Sequence, residues 1–400
     1  MGKYLKILQV ALREVKYLYL WAFILQIIPE FMRKILLPVL FALVLFTACQ
    51  KDNIPEIKPE PYVPAARIQG RVSVAYVTYW GTLAPDPTLI THINYAFAEL
   101  YVKDGVYQGF KLQGKEDRFR QIVNLKKQNP QLKILISFTH LVDNSDNSQG
   151  GGFSAMAKSD EYRRAFASDC KLFLEKWEID GVDIDWEFPG LSWSGAACDP
   201  AVDTQNYTLL MKQLRETLGN QYLLTYAGYV KDKTTITGGY RYIDVAAVDP
   251  YVDFVNLMTY NFDSAPKHHS ALSDSRAYWD CVRTANAYRA AGVAYNKLVL
   301  GIPFYGQHSF SESPTSLNYK TILTLDPKVY KIDNWDAISS TPYVTKSGVF
   351  FCGYDNPRSI DIKGKWAIGL GMKGFMYWQY DGDDYKGTLR KAVWEAVMKP

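Results

Sequence analysis

Cysteine and histidine are scarce in this sequence, and their spacing excludes one common kind of site. The 400 residues include 5 Cys and 5 His, with no C-x-x-C pair and no histidine placed beside one. Zinc ligands normally cluster at short spacings, so we expect neither a bound metal nor a cofactor. The sequence leaves open whether a disulfide bond forms among four cysteines, and it does not assign their pairing: Cys170, Cys198, Cys281 and Cys352.

Basic charge is also scarce outside the N-terminal region. The formal net charge of the chain is +4. Residues 1–49 contain six Lys or Arg and two Glu, which accounts for the whole excess and leaves residues 50–400 neutral. A domain that binds nucleic acid carries a basic patch or stripe. We therefore predict no nucleic-acid partner.

The N-terminal region contains an apparent secretion signal. Residues 32–49, MRKILLPVLFALVLFTAC, have a basic start, an apolar core and a small-residue end, as secretory signal peptides do. The end resembles a bacterial lipoprotein box, with Phe46 where Leu is usual. This predicts a secreted protein that is lipid-anchored through Cys49 to a bacterial membrane, in the periplasm or at the cell surface. The alternative, a transmembrane helix, needs a longer apolar run.

Two segments flank this signal. Residues 1–31 are apolar and aromatic-rich, and because a signal peptide normally starts a chain, we expect translation to begin at Met32. Residues 50–66 are polar and Pro-rich, which predicts an extended linker. The folded domain is then expected in residues 67–400.

Short apolar runs alternate with amphipathic segments through this domain. Apolar residues recur every three or four positions in 116–128 and 161–177, which predicts helices. Eight apolar runs are typical of strands: 72–80, 92–100, 133–138, 181–188, 222–229, 253–262, 297–306 and 374–381. Eight strands alternating with helices predict an α/β fold, a parallel (β/α)8 TIM barrel. A doubly wound open sheet is the competing layout, but the first strand is not followed by a Gly-rich phosphate loop.

The gap between the seventh and eighth strands is too long for a single helix. It contains VYKIDNW and VFFCGYD, which look like strands of their own. We therefore predict a small inserted α+β lobe over about 307–355, followed by a barrel helix at 359–371.

The segment DGVDIDWEFPG, residues 180–190, places four carboxylates in an otherwise apolar run. Alternate side chains of a strand share a face, so Asp183, Asp185 and Glu187 should point into the barrel while the apolar residues between them pack on helices. Burial and mutual repulsion disfavour ionisation, so at least one should hold a proton near neutral pH. Glu187 is nearest the carboxyl end of the strand, where barrel active sites open, and is the best candidate for a catalytic acid.

Catalysis competes with two further interpretations of these carboxylates. A solvated acidic face would not alternate with Val, Ile and Trp. A magnesium or calcium site stays open on residue chemistry alone. Perturbed carboxylates cluster at functional sites, which favours catalysis.

The same segment resembles the D-x-x-D-x-D-x-E pattern of glycoside hydrolase family 18, the chitinases and endo-β-N-acetylglucosaminidases. Four further stretches resemble other strand motifs of that family, in order, across about 70–395: INYAFAEL, LMTYNF, LVLGIPFYG and GFMYWQYDGDD. The predicted lobe resembles the family's insertion domain. The resemblance implies a retaining hydrolase of β-1,4 bonds next to N-acetylglucosamine, in which the substrate's own acetamide is the nucleophile.

The resemblance also implies a role for each carboxylate. Glu187 would protonate the leaving oxygen and later activate water. Asp185 would orient the acetamide and stabilise the oxazolinium ion, and Asp183 would share a proton with Asp185. Asp180 would be structural, at the start of the strand.

Other residues would, by the same resemblance, hold the carboxylates or the sugar. Ser137 and Tyr76 would bind Asp183. Tyr260 would hydrogen-bond the acetamide carbonyl, and Trp378 would lie under the sugar ring, since the apolar face of a sugar stacks on an aromatic plane. Three more residues complete the predicted substrate-binding set: Met258, Asn261 and Phe97.

Two positions depart from the family's pattern. Residues 137–140 read Ser-Phe-Thr-His where the family has Ser-x-Gly-Gly, so Thr139 and His140 add side chains near the cleft. His140 would either titrate there or be a simple loop histidine. Asn261 stands where the family often has Asp, so the pKa of Glu187 should be raised less than in such relatives.

The resemblance leaves two other activities in view. An endo-β-N-acetylglucosaminidase would cut N-glycan cores, although the WEFPG ending and the insertion look more like chitinases. A carbohydrate-binding lipoprotein would have lost the acid, whereas Glu187 is present. We therefore predict a chitinase-type glycosidase whose partner is chitin or another oligosaccharide or polysaccharide that contains N-acetylglucosamine.

Overall fold

A computed structural model describes residues 70–142, 152–191, 197–229 and 242–399. The predicted signal peptide with Cys49, the upstream extension and the linker lie outside these ranges. In the described ranges, no helix is both long enough and apolar enough to cross a membrane.

The helices and strands alternate along most of the described chain. The strands are β1 Val72–Thr78, β2 His92–Lys103, β3 Val106–Leu112, β4 Lys133–Thr139, β5 Gly181–Asp185, β6 Leu223–Gly228, β7 Phe254–Leu257, β8 Leu298–Pro303, β9 Tyr305–Gln307, β10 Ser316–Asn318, β11 Tyr330–Asp336, β12 Thr341–Lys346, β13 Val349–Gly353 and β14 Gly374–Trp378. The helices are α1 Glu116–Val123, α2 Phe153–Lys158, α3 Asp160–Trp177, α4 Asp203–Leu218, α5 Val245–Val248, α6 Cys281–Ala290, α7 Tyr319–Ile322, α8 Pro357–Gly369 and α9 Thr388–Met398.

Eight parallel strands close into a barrel in the order β1-β2-β4-β5-β6-β7-β8-β14. The ring closes where β1 pairs with β14, for example Val74 with Met376. The predicted (β/α)8 barrel is therefore confirmed. The carboxyl ends of all eight strands meet at one rim, which is where active sites of this fold open.

The barrel sheet carries an additional antiparallel strand that was not predicted. β3 pairs with β2 as a hairpin. The turn between them is Asp104-Gly105, with φ values of 50° and 77°. Asp-Gly is a strong signal for a two-residue hairpin turn because both positions need positive φ, so the sequence did contain the evidence for it.

The barrel strands separate two apolar layers. The outer layer packs strands against helices; in it Trp186 stacks on Phe153 with ring centroids 5.2 Å apart. The inner layer fills the barrel with side chains that include Tyr76, Phe97 and Met258. As predicted, alternate side chains of the barrel strands pack against the helices, and the side chains between them face the barrel interior.

Helix α3 illustrates how the sequence builds the outer layer. Ser159 caps its first turn by accepting a hydrogen bond from the backbone N–H of Tyr162. Its buried residues follow the helical repeat: Phe166, Cys170, Leu174 and Trp177. Glu178, in the left-handed region with φ 52°, ends the helix and leads the chain into β5.

The segment between β8 and β14 forms a second sheet, in the strand order β10-β9-β13-β12-β11. Its pairings are antiparallel, and α7 lies within it. The predicted lobe between the seventh and eighth barrel strands is thus present. Because the lobe follows the carboxyl end of β8, it begins at the rim of the barrel where the carboxyl ends of the strands meet.

A buried ion pair fixes the point where the chain returns from the lobe to the barrel. Lys363 Nζ in α8 lies 2.7 and 2.8 Å from the two carboxylate oxygens of Asp355, and both side chains are fully buried. Ser270 and Ser359 donate further hydrogen bonds to Asp355, at 2.7 and 2.6 Å. Each oxygen of this buried carboxylate therefore accepts from the lysine and from one serine.

We expect Lys363→Met to lower the free energy of unfolding by about 3–5 kcal/mol, because it leaves Asp355 buried without a counter-charge. Lys365→Met is the matched control, since Lys365 forms an exposed pair with Asp361 and should cost less than about 1 kcal/mol. Urea unfolding followed by fluorescence measures both. Equal losses for the two variants would contradict this account of the buried pair.

Candidate active site

The carboxylates of β5 lie at the open rim of the barrel. Asp183 and Asp185 are within the strand, and Glu187 follows two residues beyond its end. Asp183 is fully buried and Asp185 is 6% exposed, while Glu187 is half-buried. Burial thus decreases from the barrel interior toward the cleft, which makes Glu187 the most accessible of the three.

Asp183 is held by four hydrogen-bond donors from four different strands. Thr225 donates to Oδ1 at 2.6 Å and Asn256 to the same oxygen at 3.2 Å. Ser137 and Tyr76 donate to Oδ2 at 2.7 and 2.9 Å. Burial raises the pKa of Asp183, and these four hydrogen bonds oppose that rise. The net result is a raised pKa, because burial outweighs the four hydrogen bonds.

Asp185 and Glu187 are hydrogen-bonded to each other through their side chains. Burial raises the pKa of Asp185 well above its ordinary value, and the negative charges of Glu187 and Asp183 raise it further. Burial also raises the pKa of Glu187, to about 7, although the hydrogen bond from Asp185 lowers it. The pair therefore holds a proton near neutral pH and titrates as a unit. Asp185 Oδ1 is buried and has no hydrogen-bond partner among the described residues.

These two carboxylates open into a cleft of about 300 Å³. Its lining includes eight of the predicted site residues: Asp185, Glu187, Tyr76, Phe97, Met258, Tyr260, Asn261 and Trp378. Asp183 and Ser137 lie behind this surface, in the barrel interior. The structure therefore brings the predicted set together around one cleft.

Trp378 lies among aromatic side chains at the carboxyl end of β14. Its ring stacks on Phe97 at 5.7 Å and contacts Tyr76 at 5.6 Å. Trp80, which is 51% exposed, lies beyond it with a centroid distance of 6.3 Å. These rings form a broad apolar surface suited to the apolar face of a sugar.

Tyr260 and Asn261 lie on the wall that follows β7. Tyr260 is buried and its Oη lies 3.9 Å from Met376 Sδ, a weak contact for a phenol. Asn261 has φ 57°, a left-handed conformation that Asn tolerates better than most residues. Tyr305 donates to its side-chain oxygen at 2.8 Å, and Tyr229 donates to its backbone oxygen at 2.9 Å.

Thr139 and His140 both line the cleft at the end of β4. Thr139 Oγ1 accepts a hydrogen bond from the backbone N–H of Leu141 at 3.2 Å. His140 Nδ1 accepts one from the backbone N–H of Glu187 at 3.3 Å. Burial lowers the pKa of His140, against a smaller opposing effect of the Asp185 backbone, and this favours the neutral ring. His140 is thus part of the cleft wall that is bonded to the catalytic strand.

Asp180 lies away from the cleft at the start of β5. It accepts hydrogen bonds from the backbone N–H of Ile134 at 2.9 Å and from Lys126 Nζ at 2.8 Å. Lys133 Nζ lies 3.3 Å from its other oxygen. These contacts join β5 to β4 at the closed end of the barrel.

Sequence reasoning did not identify four residues of the site: Thr225, Asn256, Tyr305 and Trp80. Asn256 lies two positions before Met258 and four before Tyr260, so strand alternation would have placed it on the same face. Thr225 carried no such signal, because no residue of β6 was identified as functional.

The described residues also bear on a metal at this site. No group of three or more His, Cys, Asp or Glu side chains within the described ranges is arranged to bind an ion. The oxygens of Asp183 already accept four hydrogen bonds, so a cation would have to displace O–H and N–H donors.

Comparisons with known proteins bear on the identity of the chain. Chitinase A1 of Niallia circulans is 28% identical over 404 residues, covering 79% of this chain and 56% of that protein. Chitinase 63 of Streptomyces plicatus is 30% identical over 307 residues, covering 69% of this chain and 47% of that protein. The chain thus spans about half the length of these two relatives.

Solved structures give the same assignment of the fold. A glycoside hydrolase family 18 N-acetylglucosaminidase from Paenibacillus barengoltzii aligns with a TM-score of 0.67 and 27% identity, covering 82% of this chain and 100% of that one. The family model described as "Glycosyl hydrolases family 18" matches residues 72–383, from the first barrel strand to just beyond the last. Because that match takes in most of the chain, the protein belongs to glycosyl hydrolase family 18.

Proposed function

We propose that the protein hydrolyses β-1,4 bonds next to N-acetylglucosamine in chitin or chitooligosaccharides, by a retaining, substrate-assisted mechanism. The observation that carries this proposal is the hydrogen-bonded Asp185–Glu187 pair, which lines the cleft beside the buried Asp183. The relatives named chitinases support the substrate class.

Glu187 acts first as the general acid. Its pKa of about 7 keeps much of it protonated at neutral pH, and it is the most exposed of the three carboxylates. It donates its proton to the glycosidic oxygen while the bond from that oxygen to the anomeric carbon breaks. The resulting carboxylate later takes a proton from the attacking water.

Asp185 acts on the acetamide of the substrate. Its Oδ1 is unpartnered among the described residues and Asp185 lines the cleft, so this oxygen can accept a hydrogen bond from the acetamide N–H. The acetamide oxygen then bonds to the anomeric carbon as the leaving group departs, forming an oxazolinium ion. The negative charges of Asp185 and Asp183 stabilise that cation, and attack by water at the anomeric carbon opens the ring with retention.

The cleft walls hold the sugar for this step. The Trp378 ring provides the floor, and Met258 lines the same cleft. Tyr260 Oη, which has only a weak sulfur contact, is available to donate to the acetamide oxygen. The Asn261 side chain lines the cleft, and with its oxygen accepting from Tyr305 its amide N–H is the group left to donate to the sugar.

A second candidate is an enzyme that acts on another N-acetylglucosamine-containing glycan. The structural relative from Paenibacillus is named an N-acetylglucosaminidase and aligns over its full length. The same carboxylates would serve an endo-β-N-acetylglucosaminidase acting on N-glycan cores. A purely carbohydrate-binding role is less consistent with the presence in the cleft of Glu187, whose pKa burial raises to about 7.

We expect Glu187→Gln to lower turnover of chitooligosaccharides about 10²–10⁴-fold, because it removes the general acid and base. The exposed Glu175→Gln is the matched control and should leave turnover unchanged. Both variants and the wild type are assayed on chitooligosaccharides and on an N-glycosylated protein. Glycan release from the glycoprotein alone would transfer the function to N-glycan cleavage, and undiminished turnover by Glu187→Gln would refute its role.

We expect the pH–rate profile of the wild type to fall above about pH 7, where Glu187 loses its proton. Asn261→Asp should shift this basic limb to higher pH, by a few tenths of a pH unit to about one pH unit. The reason is that a second negative charge disfavours ionisation of Glu187. The new carboxylate can still accept from Tyr305. Asn261→Ala, which adds no charge, should show no upward shift. Superimposable profiles for the wild type and the Asn261→Asp variant would contradict the electrostatic argument.

We also propose that the enzyme acts at a bacterial membrane surface, anchored by a lipid on Cys49. The lipoprotein-like residues 32–49 and the Pro-rich linker 50–66 support this. Cys49→Ala should move the protein from the membrane fraction to the soluble fraction in the native cell. Mass spectrometry of the mature protein should find a lipidated Cys49 at its N-terminus. Recovery of peptides from residues 1–31 would contradict both the anchor and the expected start at Met32.

A further inference from the structure

His140 carries a polar atom for which the described part of the protein offers no partner. The side chain is 6% exposed, and its Nε2 is buried without a hydrogen-bond partner in these ranges. Buried polar groups are almost always hydrogen-bonded, so an orphan donor in a functional cleft requires a reason. The ring forms part of the same cleft surface as Glu187.

The ring is fixed in place, so Nε2 has little freedom to find a partner by rotation. Nδ1 accepts the backbone N–H of Glu187 at 3.3 Å. The next residue, Leu141, is held by Thr139 Oγ1 at its N–H and by Gln113 Nε2 at its carbonyl, at 3.2 and 3.1 Å. Gln113 is in turn bound to the buried Glu99 at 2.6 Å.

One contact bears on which ring nitrogen carries the proton. Nδ1 accepts the backbone N–H of Glu187, which favours the neutral tautomer with its hydrogen on Nε2. The cleft therefore contains a fixed, uncharged N–H donor close to the backbone of the proposed acid. It also contains an acceptor without a described partner, Asp185 Oδ1.

We propose that the Nε2–H of His140 donates a hydrogen bond to a hydroxyl or carbonyl oxygen of the N-acetylglucosamine unit bound against Glu187, and is thus a substrate-binding residue. The inference rests on the proposed function. It assigns to this chain a polar contact that a Gly-Gly sequence at the end of β4 would lack. A sugar covering the ring supplies the missing partner.

Two substitutions separate the roles of the two ring nitrogens. His140→Asn places a carbonyl oxygen near the position of Nδ1 and retains the bond to Glu187 N–H, but it has no group at the position of Nε2. His140→Gln places an amide N–H near Nε2 and does not reach the Glu187 backbone. If His140 only supports the Glu187 backbone, His140→Asn should be the milder change. If its Nε2–H binds substrate, His140→Gln should be the milder change.

Binding of N-acetylchitotetraose is measured by calorimetry in the full chain carrying Glu187→Gln, which prevents turnover. We expect His140→Asn in this background to weaken binding about 3- to 10-fold, the effect of losing one neutral hydrogen bond. His140→Gln should stay within about twofold. In the active enzyme, His140→Asn should raise KM more than it lowers kcat.

Equal affinities for the Asn and Gln variants would overturn the inference while leaving the proposed function intact. If the Glu187→Gln protein itself does not bind the tetrasaccharide, the proposed function and the inference both fail.

An NMR measurement on the Glu187→Gln protein, with His140 retained and turnover prevented, provides a second test. The chain has 5 His, so ¹⁵N-histidine labelling gives a small set of ring signals, and the His140→Gln variant assigns the signal of interest. Adding the tetrasaccharide should move the Nε2–H resonance downfield and slow its exchange with water. An unchanged resonance at saturation would overturn the inference.

Discussion

Three carboxylates on and just beyond one barrel strand cannot all be ionised cheaply when they are close together and largely buried, and the rest of the site is arranged around that constraint. Asp183 is the most buried, and four donors compensate its charge. Asp185 lies next to it with one oxygen unpartnered among the described residues, so its pKa is raised by burial and by both neighbours. Asp185 and Glu187 therefore hold a proton between them, at the edge of the cleft, where the proposed reaction needs a proton donor.

A closed barrel is what makes this compensation possible. Tyr76, Ser137, Thr225 and Asn256 come from β1, β4, β6 and β7, and they converge on Asp183 because inward-facing residues of all the strands meet on the barrel axis. An open sheet would leave the carboxylate on one face with donors only from adjacent strands. The aromatic layer above, with Trp378 at its centre, provides the surface for a sugar.

Much of the architecture was predictable from the sequence. Alternation of eight apolar runs with helical segments predicts the barrel, and the two-residue spacing of Asp183, Asp185 and Glu187 predicts a shared inward face. The motif resemblance located the cleft residues on separate strands. The β3 hairpin was also within reach, through its Asp-Gly turn.

The contacts across the barrel were not predictable in the same way. Ser137, Asp183 and Thr225 lie side by side because β4, β5 and β6 pair in one particular register. A single sequence does not specify register between strands far apart in the chain, so Thr225 and Asn256 could not be identified as donors. The bond between His140 and the Glu187 backbone is of the same kind, since it depends on where two loops meet.

The most direct test of this account is the titration of Glu187 itself. Carbon-13 labelling of the glutamate carboxyls, with the Glu187→Gln protein to assign the signal, measures its ionisation by NMR in the free enzyme. The account predicts an apparent pKa near 7, well above that of an exposed glutamate. Titration of Glu187 near its ordinary value, about 4.3, would contradict the claim that burial lets the Asp185–Glu187 pair hold a proton near neutral pH.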